Sequence, residues 1–65
     1  MYQSTFVFYK LSADGITPTD VKAKMFDDPH SENRSVRKMR KNGYRTYRAP
    51  IDVWRIIIAA GAELL

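Results

Sequence analysis

The chain has 65 residues, 45% of them hydrophobic, no cysteine and a formal net charge of +4. That length sustains one small domain, residues 1–65, whose core alone is of marginal stability. Disulfides and cysteine-bound zinc are excluded, and the single histidine, His30, builds no metal site by itself, so self-association is the stabiliser left.

The first element, Thr5-Phe6-Val7-Phe8-Tyr9-Lys10-Leu11, is aromatic and β-branched, which favours a strand. Its apolar residues run without a break, so periodicity does not decide between strand and helix. Ser12-Ala13-Asp14-Gly15 ends it. Thr17 then reads as a helix N-cap, Pro18 as the first helical residue and Asp20 as a first-turn acid. Val21, Met25 and Phe26 supply an apolar stripe, and Asp27-Asp28-Pro29 closes this expected helix.

A third element is predicted from Ser31, read as its N-cap, to Asn42, with Gly43 as the stop. At about 100° per residue, Val36 and Met39 share one side, and Arg34, Arg37, Lys38 and Lys41 share the other. Tyr44 to Ala49 reads as an extended arm or a short strand. A last helix is predicted from Pro50 through Leu65, apolar nearly all round, with Asp52, Arg55 and Glu63 as its wet edge. Such a helix packs on its own domain on one side and on a second copy on the other.

Charge is the most informative feature. Arg34 to Arg48 contains seven cations and no acid, while the rest of the chain has four basic residues against seven acidic ones. A concentrated basic segment is the footprint of a protein that grips phosphates. Asp27, Asp28 and His30 share an acidic, proline-containing turn, a weak constellation for metal binding or acid–base catalysis. No catalytic residue, metal or cofactor is therefore expected. Met1-Tyr2-Gln3-Ser4 lacks a positively charged leader. The apolar run Val53–Leu65 falls far short of the roughly 20 residues needed to span a bilayer. A cytoplasmic location is expected, with no membrane partner.

Two adjacent short helices, the second basic outside and apolar inside, look like a helix-turn-helix. Gly15-Ile16-Thr17-Pro18-Thr19-Asp20-Val21-Lys22-Ala23-Lys24-Met25 resembles the start of that motif in the Xre/Cro-like phage repressors, and Ser31 to Met39 resembles the recognition helix. Gly43 to Pro50, followed by an apolar helix, is similar to the ending of the anti-CRISPR-associated autorepressors. The linker Phe26-Asp27-Asp28-Pro29-His30-Ser31 is longer than the usual turn and has no glycine. The resemblance implies a mostly α domain of about four helices with a C-terminal dimerisation helix. Residues 4–11 become its first helix, against their strand-like composition. It also implies a homodimeric transcriptional repressor in a bacterial host's cytoplasm, autoregulating its own operon, with an anti-CRISPR operon as one candidate.

In that reading Asn33, Arg34, Arg37 and Lys38 contact base edges, since Arg pairs with guanine and Asn with adenine in the major groove. Ser31, Lys41, Tyr44, Arg45, Tyr47 and Arg48 contact the DNA backbone. Trp54, Ile57, Ile58, Gly61, Leu64 and Leu65 form the dimer interface. The ligand is double-stranded DNA carrying an inverted repeat. The alternatives are a phage protein that inhibits a host machine by protein contact and an RNA-binding regulator that stacks Tyr44 and Tyr47 on bases.

Overall fold

Ser4–Leu11 forms strand β1 in the computed structural model, which describes all 65 residues. Its aromatic and β-branched residues fit a pleated surface covered on both faces. After a turn the chain returns as β2, Pro18–Phe26. Helix α1 spans Pro29–Lys41, β3 spans Arg45–Arg48, helix α2 spans Ile51–Ala59 and β4 is Glu63–Leu64. The sheet order is β3-β1-β2-β4; β1 pairs antiparallel with β2 and β3, and β4 lies parallel to β2.

Because β1 is flanked on both edges, its alternating side chains seed two cores. Phe6 and Phe8 point to one face, where they pack with Phe26, Val36 and Met39 under α1. Val7 points to the other, with Ala23, Ala49 and Trp54 under α2. Trp54 Nε1 donates to the Phe6 carbonyl at 3.1 Å, and the Thr5 hydroxyl donates to the Ala49 carbonyl at 2.5 Å, so α2 is tied to the central strand by polar bonds as well as packing.

The expected mostly α, four-helix domain is not what forms: the protein is α+β, with a four-stranded mixed sheet and two helices. Residues 4–11 are a strand, and residues 18–26 are a strand rather than a helix, so the first helix of a helix-turn-helix is absent. The reason lies in β2 itself. Val21, Ala23 and Met25 alternate with Lys22, Lys24 and Phe26, the period of a strand. Thr17 does not cap a helix; its hydroxyl donates to Asp14 Oδ2 at 2.6 Å, inside the β1–β2 turn. Pro18 sits at the first residue of the strand, where proline is tolerated.

The helix expected over Ser31–Asn42 forms as Pro29–Lys41, and its cap is not Ser31 but Asp28, whose carboxylate accepts from the Ser31 amide at 3.0 Å. The last helix stops at Ala59 instead of running to Leu65. Both helices end in the same way. Gly43 and Gly61 take φ of 87° and 112°, and the amides after them, Tyr44 and Ala62, reach back to the Met39 and Ile57 carbonyls. This is the double closure of a Schellman cap, and each returning side chain rejoins the core it came from.

A bulge interrupts β2. Phe8 faces Lys22 but Lys10 faces Thr19, so β2 holds one extra residue there, and Asp20 adopts φ 52°. The bulge turns Asp20 toward α1's side of the sheet, where its carboxylate accepts from the Tyr44 hydroxyl and meets Lys22 Nζ at 3.3 Å. Left-handed backbone is tolerated by Asp and Asn and strained for a β-branched residue. Asp20→Asn is expected to keep most of the melting temperature and Asp20→Val to lose several degrees. Equal melting temperatures for the two would show that this backbone geometry is no constraint.

Candidate nucleic-acid interface

The candidate site is built on the outward face of α1. Helical winding of Ser31–Lys41 gives Val36 to the core, leaves Met39 and Ser35 half-buried, and turns Asn33, Arg34, Arg37, Lys38, Arg40 and Lys41 to solvent. Arg37, Lys38, Arg40 and Lys41 line one shallow concavity with no apolar residue in its wall. From the sheet, Lys24 extends beside Lys38. Lys10 lies 4.7 Å over the ring of Tyr44, next to the helix's C-terminal end.

None of the cations from Arg34 to Arg48 forms an ion pair within the protein. The two ion pairs in the chain both belong to Lys22, with Asp20 at 3.3 Å and Glu63 at 3.2 Å. No carboxylate comes within ion-pairing distance of any of the seven cations from Arg34 to Arg48. Glu32, the acid on α1, is turned inward and accepts from the Tyr2 and Ser4 hydroxyls. Like charges at helical spacing destabilise a helix by a few tenths of a kcal/mol per pair, which the placement of Lys38, Arg40 and Lys41 in the last turn, at the negative end of the helix dipole, offsets in part.

Arg40, absent from the residues singled out in the sequence, is the one cation of the seven whose side chain is hydrogen-bonded within the protein. Its Nε and Nη2 donate to Thr46 Oγ1 of β3 at 3.3 and 3.2 Å. The bond links the helix to the neighbouring strand and leaves guanidinium donors free to face an anion. Arg40 sits at the flank of the helical wheel, so periodicity alone ranked it below its neighbours. Lys24 joins this face only because residues 18–26 form a strand, a placement that a helix over the same residues does not predict.

The other expected contacts divide. In β3, Arg48 and Thr46 face α1's side, since they pair with Phe6 and Phe8, while Arg45 and Tyr47 face α2's side opposite Tyr9 and Val7. Ser31 is exposed, but its amide and hydroxyl are both engaged by Asp28. Tyr44 is half-buried against the Phe6–Phe8 core and bonded to Asp20. Of the expected interface residues, Trp54 is buried in its own protomer, Ile57 and Ile58 are half-buried on the same core, and Gly61, Leu64 and Leu65 are exposed. Asp28, once a candidate for metal or acid–base chemistry, serves as the α1 cap.

The acids that hold loops and strands together have shifted protonation. Hydroxyls of Ser12 and Thr17, then the backbone amides of Thr17 and Ile16, hold Asp14 well below the usual carboxylate range. Ser4 and Tyr2 lower Glu32, Tyr44 lowers Asp20, and the Ser31 amide lowers Asp28. Hydrogen bonding to Glu32 and Asp20 raises Tyr2 and Tyr44, and Glu63 raises Lys22. The fold therefore favours ionised acids and protonated tyrosines and lysine. The carboxylate contribution is present above about pH 4 and is lost as pH falls through the lowered values. The tyrosine and lysine contribution is present below about pH 10 and is lost as pH rises through the raised values. Melting temperature is expected to be flat between about pH 5 and 9 and to fall on both sides. A melting temperature still rising at pH 3 would contradict these bonds.

No helix is long and apolar enough to cross a membrane. Comparison with protein families, with curated proteins and with solved structures finds no match, so the fold and its charged face carry the functional reading.

Proposed function

We propose that this chain binds double-stranded DNA through the outward face of α1, without catalysing a reaction, and represses transcription where its site overlaps a promoter. The observation that carries the reading is the group of six cations on α1's side of the sheet, Arg34, Arg37, Lys38, Arg40, Lys41 and Arg48, with no acid within ion-pairing distance of any of them. A phosphate backbone removes the repulsion among them and releases its own counterions. The 13 residues of α1 form a rod about 20 Å long, narrow enough for a major groove. In this reading Asn33, Arg34, Arg37 and Lys38 meet base edges, while Lys41, Arg40, Arg48 and Lys24 meet phosphates. The contact is made by a single helix braced on a sheet, not by a helix-turn-helix.

The test is a mobility-shift titration on duplex DNA, single-stranded RNA and an uncharged control across salt concentrations. The four phosphate contacts predict a slope of log affinity against log salt of about −4 on duplex. Binding restricted to single-stranded RNA, or a slope near zero, would reject the duplex reading.

A further inference from the structure

α1 and α2 lie on opposite faces of the sheet, because the residues they cover, Phe6 and Phe8 for one and Val7 for the other, alternate along β1. The cationic face of α1 and the outward face of α2 therefore point away from each other. That second face consists of Asp52, Arg55, Ile56, Ala59 and Ala60, all exposed, with Ile56 at 68%. Asp52 and Arg55 carry opposite charges one turn apart, and neither has an ion-pair partner in its own protomer. The face is self-complementary. In an antiparallel pair of α2 helices related by a two-fold axis, Asp52 of each copy meets Arg55 of the other. The same pairing sets Ile56 of each copy opposite the exposed Ile51 of the other and withdraws both from water. The protomer also has surface to lose: it exposes 4678 Å², where a compact monomer of 7.5 kDa exposes about 4250 Å².

We infer that a second copy of this chain docks on the outward face of α2, and that the resulting pair bridges two DNA duplexes. Back-to-back packing sends the two α1 faces to opposite outer sides of the pair. A dimer that straddles an inverted repeat needs both recognition elements on one side of a single duplex. Here each copy holds its own duplex, so the inference rests on the DNA-binding reading above for its second half and on α2 alone for its first.

The experiment combines sedimentation with capture of a fluorescent duplex by the protein bound to an immobilised duplex. The wild-type chain is expected to sediment as a dimer and to capture the second duplex. Arg55→Asp sets acid against acid across the axis and is expected to weaken pairing about tenfold. It should still shift a single duplex and should lose capture. The charge swap, Asp52→Arg with Arg55→Asp, is expected to restore both dimer and capture, which mere damage to the helix would not allow. A wild-type monomer, free and DNA-bound, overturns the proposal. So does a dimer that binds one duplex and captures no second. If the swap series behaves as expected in sedimentation while no variant binds duplex, the pairing stands and the DNA reading fails with the bridging.

Discussion

Replacing Arg37, Lys38 and Lys41 together with alanine is expected to abolish tight DNA binding while leaving the fold intact or firmer. All three are exposed on α1 and line the same concavity with Arg40. Loss of two base contacts, at Arg37 and Lys38, and of one phosphate contact, at Lys41, is expected to flatten the salt slope by about one unit. It should also cost roughly 3 kcal/mol of binding, more than a hundredfold in affinity. The melting temperature is expected to hold or rise, because the substitutions relieve like-charge repulsion and add good helix formers. This pairing of outcomes separates a binding face from a structural one. A triple variant that binds duplex like the wild type would dismiss α1 as the contact. A variant that loses binding only because it unfolds would show that these side chains hold the helix in place.

The largest expected effect on stability is at Phe8. Its side chain is 1% exposed, sits beneath α1 with Phe26 and Val36, and lies near-parallel to Phe6 with ring centroids 6.0 Å apart. Phe8→Ala is expected to cost about 3–5 kcal/mol, the range for deleting a buried aromatic ring. A domain this small rarely has more than about 3–5 kcal/mol in hand, so the variant is expected to be largely unfolded at 25 °C. Trp54→Phe offers a graded comparison on the other face. It keeps most of the buried area but removes the donor to the Phe6 carbonyl, an expected cost of about 1 kcal/mol. Chemical denaturation followed by circular dichroism measures both. A Phe8→Ala chain with an unchanged midpoint would mean that the α1 core does not hold the protein together.

The contrast between β2 and α1 shows why one element was legible and the other was not. Both segments open with a proline and an acid, the ordinary marks of a helix start. In α1 those marks agree with the spacing of Val36 and Met39 and with a glycine stop, so every level points the same way. In β2 they compete with the alternation of Val21, Ala23 and Met25 against the lysines. The alternation prevails because β1 exposes backbone donors and acceptors along both edges, and β2 satisfies one whole edge. A helix over residues 18–26 would have left that edge of β1 open. The short β4 has a similar cause: Gly61 turns the chain back, and Leu65 donates to the Ala23 carbonyl on the free edge of β2.

What the sequence by itself determined is the charge and its grouping. Seven cations run from Arg34 to Arg48 without an acid, and helical spacing carries five of them on α1 whatever the rest of the chain does. Both are local properties, set by residue type and by the 3.6-residue turn. Only the tertiary structure decided that a sheet lies beneath that helix, that Arg40 is braced by Thr46, and that Trp54 is spent inside its own protomer. It also set α1 and α2 back to back. These depend on strand pairing between residues far apart in the chain, whose hydrogen bonds and buried faces exist only once the whole sheet has formed.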